Sequence, residues 1–462
     1  MRTPVRLETA HTAGEGPMRV IVVGAGEVGS NIAASLDDDH NVVVIDTDPD
    51  RIDAITYAYD VLAIQGDGTS IETLREAGIA DADLVIASTD VDETNIVICG
   101  AAKAVGEPFT IARVKKTNLL RTWEQSRGAF GIDFMVCTDL QTAETIVRIA
   151  GLPGAHDVET FAGDLVQMAE FEIESDSPIA GETVSEADRF ESLTFAALLR
   201  DDDIVIPQGD TVIEAGDAVV VIGSRESVRA FAGSLTPEPT LEDANEIVIV
   251  GGTEMGYQTA RLFEAEGLEP RLVERDPRRA RELAEQLPGT MVLQSDATDI
   301  DFLVREHVDE SDIVVAALES DEKNLLVSLL AKRIGVERTI ALVESGEYVD
   351  LFETVGVDVG VNPRLVTSEE ITRFTREQRT ENVAMLESDR AEVLEIEVDA
   401  ESVLFERRIQ DAMADLPDGV VVGAIGRAGT LITPRGETVV EGGDHVVIFV
   451  ETAVIDAVTS AV

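Results

Sequence analysis

The chain has 462 residues, enough for about two to four domains with cores of their own. Its apolar content of 44% marks a globular protein and not a disordered one. Ninety Asp and Glu against 36 Lys and Arg give a formal net charge of -54 spread along the whole sequence, which argues against nucleic acid and anionic lipid as partners, since both require basic surfaces.

Such a surface repels itself in dilute buffer, whereas at about 1 M salt the Debye length falls to about 3 Å and neighbouring charges hardly interact. The cations are nearly all Arg, with Lys only at Lys103, Lys115, Lys116, Lys323 and Lys332. The balance predicts a protein of a high-salt cytoplasm.

Residues 1–17 show no apolar periodicity and are expected to be a disordered extension. No apolar run reaches the roughly 18–20 residues that a bilayer demands, and no leader pattern opens the chain, so a cytoplasmic location without membrane insertion is expected. From Met18 onward, short and nearly all-apolar strands alternate with helical stretches: RVIVVG, a helix over about 30–36, NVVVID, VLAIQGD, ADLVIAS and a helix over 95–105. Strands apolar on both faces and separated by helices predict a doubly wound parallel sheet of Rossmann type in the α/β class. Cys99 and Cys137 lack metal-ligand spacing and lie in apolar contexts, so both are expected to be core thiols.

A helical stretch, DLQTAETIVRIAG, then leads into a segment of alternating residues and turn signals, IPQGD and EAGD, which predicts a small strand-rich α+β module. The whole pattern recurs at a shift of 227 to 229 residues. Gly24 meets Gly251, Asp48 meets Asp276 and Asn95 meets Asn324, while IPQGDTVIEAGDAVVVI lies over TPRGETVVEGGDHVVIF with about half the positions identical. A period this long is a duplicated two-domain unit and not a solenoid. The boundaries read from these shifts are 18–136 and 244–362 for the sheet domains, 137–157 and 363–385 for the linking helices, and 158–238 and 386–462 for the strand-rich modules.

The first sheet domain carries Gly24, Ala25, Gly26, Glu27, Val28 and Gly29 as GxGxxG between strand and helix, with Asp46 ending the second strand. Gly24 permits the tight turn, Gly26 lets backbone approach a pyrophosphate, Gly29 packs helix on strand, and the acid holds ribose hydroxyls. An acid there disfavours a 2′-phosphate, so NAD or NADH, or an adenine nucleotide, is expected over NADP. Catalytic equipment is sparse: there are five histidines, no Cys/His metal cluster and no nucleophile motif, while Asp217 and Asp444 read as turn residues. A non-enzymatic nucleotide sensor is therefore expected, with a soluble NAD-dependent oxidoreductase and a nucleotide-free scaffold as rivals.

VGAGEVG, VIDTDPDR, QGDGT, ASTDVDETNIVICGAAK, IARV and PQGDTVIEAGDAVVVIG resemble the family of cytoplasmic regulators of Trk-type potassium uptake, built from regulator-of-K⁺-conductance (RCK) domains in the order N, C, N, C. The resemblance covers nearly all of Met18 to Val462. It implies a homotetrameric gating ring beneath a membrane-embedded potassium channel subunit of the TrkH type, switched by nucleotide through the linking helices. It also implies that Asp67 lies beside the adenine pocket, that Thr89 and Asp90 line the crevice, and that Arg113 reaches the nucleotide; Arg113 in a plain ion pair and Thr89 as a helix cap are the structural alternatives.

Two departures bear on the ligand. Glu27 and Glu254 stand where ATP-responsive rings of this family commonly have an Arg, and a carboxylate about 4 Å from a phosphate costs several kcal/mol at an effective dielectric near 20, favouring dinucleotide or ADP over ATP. The second copy, Gly251, Gly252, Thr253, Glu254 and Gly256 with Glu274 as its acid, replaces the middle glycine by a β-branched residue that disfavours positive φ, and so is expected to be the weaker or differently selective site. The charge makes a direct prediction: dialysis from molar salt to about 0.1 M lowers the melting temperature. An unchanged melt across salt contradicts it.

Overall fold

The computed structural model describes residues 17–462 apart from 38–39, 127–128, 153, 164, 176, 201–202, 236–245, 377–381, 386–390, 401 and 460. The expected N-terminal extension lies outside the described residues except for Pro17. The chain divides into two compact units between Cys137 and Thr138.

The first unit holds β1 (Arg19–Val23), α1 (Glu27–Leu36), β2 (Asn41–Asp46), α2 (Pro49–Ala58), β3 (Leu62–Gln65), α3 (Ile71–Glu76), β4 (Leu84–Ala87), α4 (Asp92–Val105), β5 (Phe109–Val114), α5 (Thr117–Ser126) and β6 (Phe134–Cys137). The strands form one parallel sheet in the order β3-β2-β1-β4-β5-β6. Val20, Ile21, Val22, Val85 and Ile86 are buried to the last atom, as strands covered on both faces must be. Helix α1 starts three residues before the predicted stretch because Gly26, with extended backbone, serves as its N-cap. Asp48 caps α2 by accepting from the amide of Asp50, with Pro49 in the first turn. Cys99 and Cys137 are buried thiols outside any disulfide. Burial, with help from the charge of Asp133, pushes the Cys99 thiol up to about 12.

The second unit opens with the linking helix α6 (Thr138–Ala150), then β7 (Ala155–Phe161), β8 (Val166–Glu172), α7 (Val184–Ala187), β9 (Leu193–Arg200), β10 (Asp203–Val205), β11 (Ala218–Gly223) and α8 (Arg225–Leu235). The second Rossmann-type domain follows as β12 (Ile247–Val250), α9 (Glu254–Ala265), β13 (Arg271–Glu274), α10 (Pro277–Gln286), β14 (Met291–Gln294), α11 (Ile300–Arg305), β15 (Ile313–Ala316), α12 (Asp321–Ile334), β16 (Arg338–Leu342), α13 (Val349–Thr354), β17 (Val359–Val361) and the linking helix α14 (Pro363–Arg376). The last module contains β18 (Asn382–Met385), β19 (Ala391–Glu397), α15 (Ile409–Ala412), β20 (Val420–Arg427), β21 (Thr430–Ile432), β22 (His445–Glu451) and α16 (Ile455–Thr459).

The second parallel sheet repeats the first in the order β14-β13-β12-β15-β16-β17, and the modules are antiparallel sheets, β10-β9-β11-β8-β7 and β18-β19-β22-β20-β21. Both linking helices matter for this unit. Ile146, Ile149 and Ala150 of α6 join the core of the second Rossmann-type domain with Ile249, Phe263 and Ile313. The hydroxyl of Thr367 in α14 donates to that of Thr138 in α6 at 3.0 Å, so the two linking helices meet within this unit. Arg338, which is buried, ties the domain to the first module by donating to the carbonyls of Leu152 and Ala155 at 2.6 and 2.9 Å.

The modules face each other through a shared apolar layer that includes Met168, Ala197 and Ile222 from one and Val393, Val447 and Phe449 from the other. At its margin Glu395 accepts from the amide of Ala162 at 2.8 Å and pairs with His445. The turn aspartates do more than the sequence suggested. Arg200 grips Asp217 with two bonds of 2.7 Å, and Arg427 grips Asp444 with bonds of 2.7 and 2.6 Å, both acids having side chains only 1% exposed.

Burial pushes the carboxyl of Asp444 up, but the Arg427 bonds and the Glu441 amide outweigh it and hold the acid below its ordinary 3.8. A depressed carboxylate contributes stability that is complete above about pH 4 and is lost as pH falls through the folded-state value. Arg427→Ala, which strands a buried charge, should cost about 3–5 kcal/mol at neutral pH in chemical denaturation. Asp444→Asn should flatten the acid limb of the stability curve below about pH 4, measured the same way.

Candidate functional site

At the carboxyl edge of the first sheet, between β1 and β4, the strand order reverses, and open α/β sheets bind ligands at that crevice. The glycine turn forms its floor. Gly24 has φ of 108°, and a Cβ on it would lie 3.0 Å from the amide nitrogen of Thr89. A Cβ on Gly29 would stand 1.7 Å from the carbonyl oxygen of Gly24, which no neighbour could relieve because that neighbour is backbone. These two glycines are required by the chain itself. Gly26 is different: its backbone is extended, with φ of -74° and ψ of -176°. Among the described residues, a Cβ there would meet within 4 Å only the guanidinium of Arg51, at an ordinary 3.6 Å.

Asp46, buried at the end of β2, accepts from the amide of Ala25 at 2.6 Å and from that of Asp48 at 2.8 Å. It thereby fixes the turn to the neighbouring strand, with Arg51 3.8 Å away. Asp67 lies two residues beyond β3, where it accepts from the hydroxyl and amide of Thr69. Those bonds, the hydroxyl's first, hold its carboxyl below the usual range.

Thr89 is not the cap of α4, whose N-cap is Val91. Its amide and hydroxyl both donate to the buried Asn95, which in turn donates to the carbonyls of Thr89 and Arg113 and so staples the ends of β4 and β5. Arg113 is in an ion pair with Asp90 at 3.6 Å, yet its side chain is only 4% exposed, so it is no surface pair. Lys115 approaches the same acid at 3.7 Å. The crevice lip thus carries cations from two directions, Arg51 from α2 and Arg113 with Lys115 from the end of β5.

The second copy keeps the floor and changes the rest. Gly251 has φ of 115°, and a Cβ on Gly256 would stand 2.0 Å from the Gly251 carbonyl. Glu274 accepts from the amide of Gly252 at 2.8 Å, as Asp46 does from Ala25. The expectation that Thr253 is penalised by positive φ is corrected: its φ is -62°, the extended backbone that Gly26 also adopts, so no strain arises. Its hydroxyl instead accepts from the amide of Gly256 at 3.1 Å and donates to the carbonyl of Ala317 at 2.8 Å. Glu254 turns along its own helix, accepting from Gln258 at 2.7 Å. Where the first copy reads IARVKK the second reads IALVES, placing Leu342 for Arg113 and Glu344 for Lys115. Arg51, Lys115 and the loss of cations in the second half were missed in the sequence, although laying those two stretches together displays the latter.

Two repeats of a Rossmann-type sheet domain followed by a strand-rich module define a tandem RCK-type protein. The TrkA-N domain matches residues 20–137 and 247–363, and the TrkA-C domain matches 168–235 and 393–462. The chain belongs to the TrkA family. It is 36% identical to the Trk system potassium uptake protein TrkA homolog of Archaeoglobus fulgidus, over 94% of this chain and 97% of that one. It is 30% identical to the Trk system potassium uptake protein TrkA of Haemophilus influenzae, over 94% and 95%. Among solved structures, the GsuK channel bound to NAD is similar in fold, with TM-score 0.58 and 17% identity over 97% of this chain and 79% of that one. The RCK domain of GsuK gives the same score and identity over 97% and 96%.

The glycines allow a test that separates folding from binding. Gly29→Ala should destabilise the protein by about 1–3 kcal/mol, because the helix must lift from the strand. Gly26→Ala should stay within about 0.5 kcal/mol of the parent in chemical denaturation.

Proposed function

We propose that the chain is the nucleotide-sensing regulatory subunit of a Trk-type potassium uptake system, and not an enzyme. The observation that carries the nucleotide reading is Gly26: nothing in its own fold requires a glycine there, and the space over it lies at the N-terminus of α1, beside Asp46. A helix N-terminus with free backbone approach suits phosphate, and a strand-end acid suits ribose hydroxyls. The ligand is NAD or NADH, with ADP next and ATP disfavoured by Glu27. The tandem architecture supports assembly into a homotetrameric ring, and family membership supports a membrane-embedded, TrkH-type potassium channel subunit as partner and a cytoplasmic place at the inner membrane face. Among the described residues no helix is long and apolar enough to cross a membrane, in keeping with that division of labour. The acidic composition supports operation in a high-salt cytoplasm.

Switching follows if nucleotide binds one ring conformation better than another; moving from 1:99 to 99:1 takes about 5.5 kcal/mol of differential affinity. Calorimetric titration of the intact protein in molar salt should show saturable binding of NAD and ADP, weakened at least about tenfold by Asp46→Ala. Absence of binding by NAD, NADH, ADP and ATP would leave a structural scaffold, and hydride transfer from NADH to any acceptor would restore the oxidoreductase.

A further inference from the structure

Arg51 and Arg279 are one residue in two copies, each third in the helix that follows the ribose-side acid, yet their side chains do different things. Arg279 donates through Nε to the carbonyl of Gly252 at 2.8 Å, and its guanidinium lies 3.7 Å from Glu282. It is laid onto the second glycine turn. Arg51 lies 3.8 Å from both Asp46 and Asp48, beyond hydrogen-bond length, with nearly half its side chain exposed. Its Nη1 is 3.6 Å from the place where a Cβ on Gly26 would be, over the glycine that lets a pyrophosphate approach backbone.

The surroundings differ in the same sense. In the second turn the Thr253 hydroxyl takes up the Gly256 amide at the start of α9, so a donor that a phosphate would need is already bonded. Leu342 and Glu344 then leave that crevice without the cations that Arg113 and Lys115 give the first. In the first turn the corresponding position has no side chain, and a guanidinium stands beside it. A planar guanidinium with a loose carboxylate partner is suited to exchange it for a phosphate, which it can grip with two bonds.

We infer that Arg51 is the phosphate-binding cation of the first turn, and that Arg279 and Thr253 close the second, so that each chain takes one dinucleotide or nucleoside diphosphate. The inference rests on the nucleotide reading above. In this arrangement the cation comes from α2, so Glu27 at the helix start is no obstacle to a diphosphate.

The test is calorimetric titration of the full chain in molar potassium chloride with ADP, NAD and adenosine. One ADP or NAD per chain is expected. Arg51→Ala should weaken ADP and NAD at least about tenfold while leaving adenosine within twofold, Arg51→Lys should recover part of the loss, and Arg279→Ala should leave ADP affinity unchanged. Unchanged melting temperatures show that the variants fold. ADP affinity unaltered by Arg51→Ala, equal losses for ADP and adenosine, or two ADP per chain would overturn the inference while leaving the nucleotide reading intact. No binding of NAD or ADP by the parent protein would overturn both.

Discussion

The first unit depends on one backbone contact: α1 leaves β1 so closely that the Gly24 carbonyl occupies the place of any side chain at Gly29. That contact sets the direction of the helix and leaves its first amides facing the carboxyl edge of the sheet. Asp46 then holds the turn from the adjacent strand through the Ala25 amide. The same carboxylate therefore shapes the turn and stands where a ribose would be read.

Duplication provides an internal control on which features serve folding and which serve a ligand. Gly251, Gly256 and Glu274 preserve the contact and its brace, and Asn324 preserves the staple between strand ends that Asn95 makes in the first copy. Gly26, Arg113 and Lys115 were not preserved, and with the two cations the second copy lost the charges that face Asp90 in the first. Positions needed for folding stay fixed in both halves. Gly26, whose missing side chain leaves space over the turn, and the cations at the end of β5 have diverged.

The modules show the opposite economy of change. Each keeps an Arg–Asp clasp with a second acid, Arg200 with Asp217 and Glu214, Arg427 with Asp444 and Glu441. A buried carboxylate is tolerable only while its partner is present, so both members persist together. The linking helices meet through the hydroxyls of Thr138 and Thr367, a contact that an apolar residue on either helix would lose. Polar contacts of this kind hold a geometry without the depth of a close-packed apolar seam.

By itself the sequence determined the strand and helix order, the duplication, the glycine turns and both strand-end acids, because each follows from local periodicity or from a backbone requirement a few residues long. It placed α1 three residues late, since a glycine N-cap leaves no side-chain signal. Only the tertiary structure decided that Thr253 is an unstrained cap, that Asp217 and Asp444 are buried charges, that Arg113 is buried against Asp90, and that Arg51 stands over one turn with loose carboxylate partners while Arg279 lies on the other. Those facts join residues far apart in the chain, and a side chain's partner is set by the space that folding creates around it.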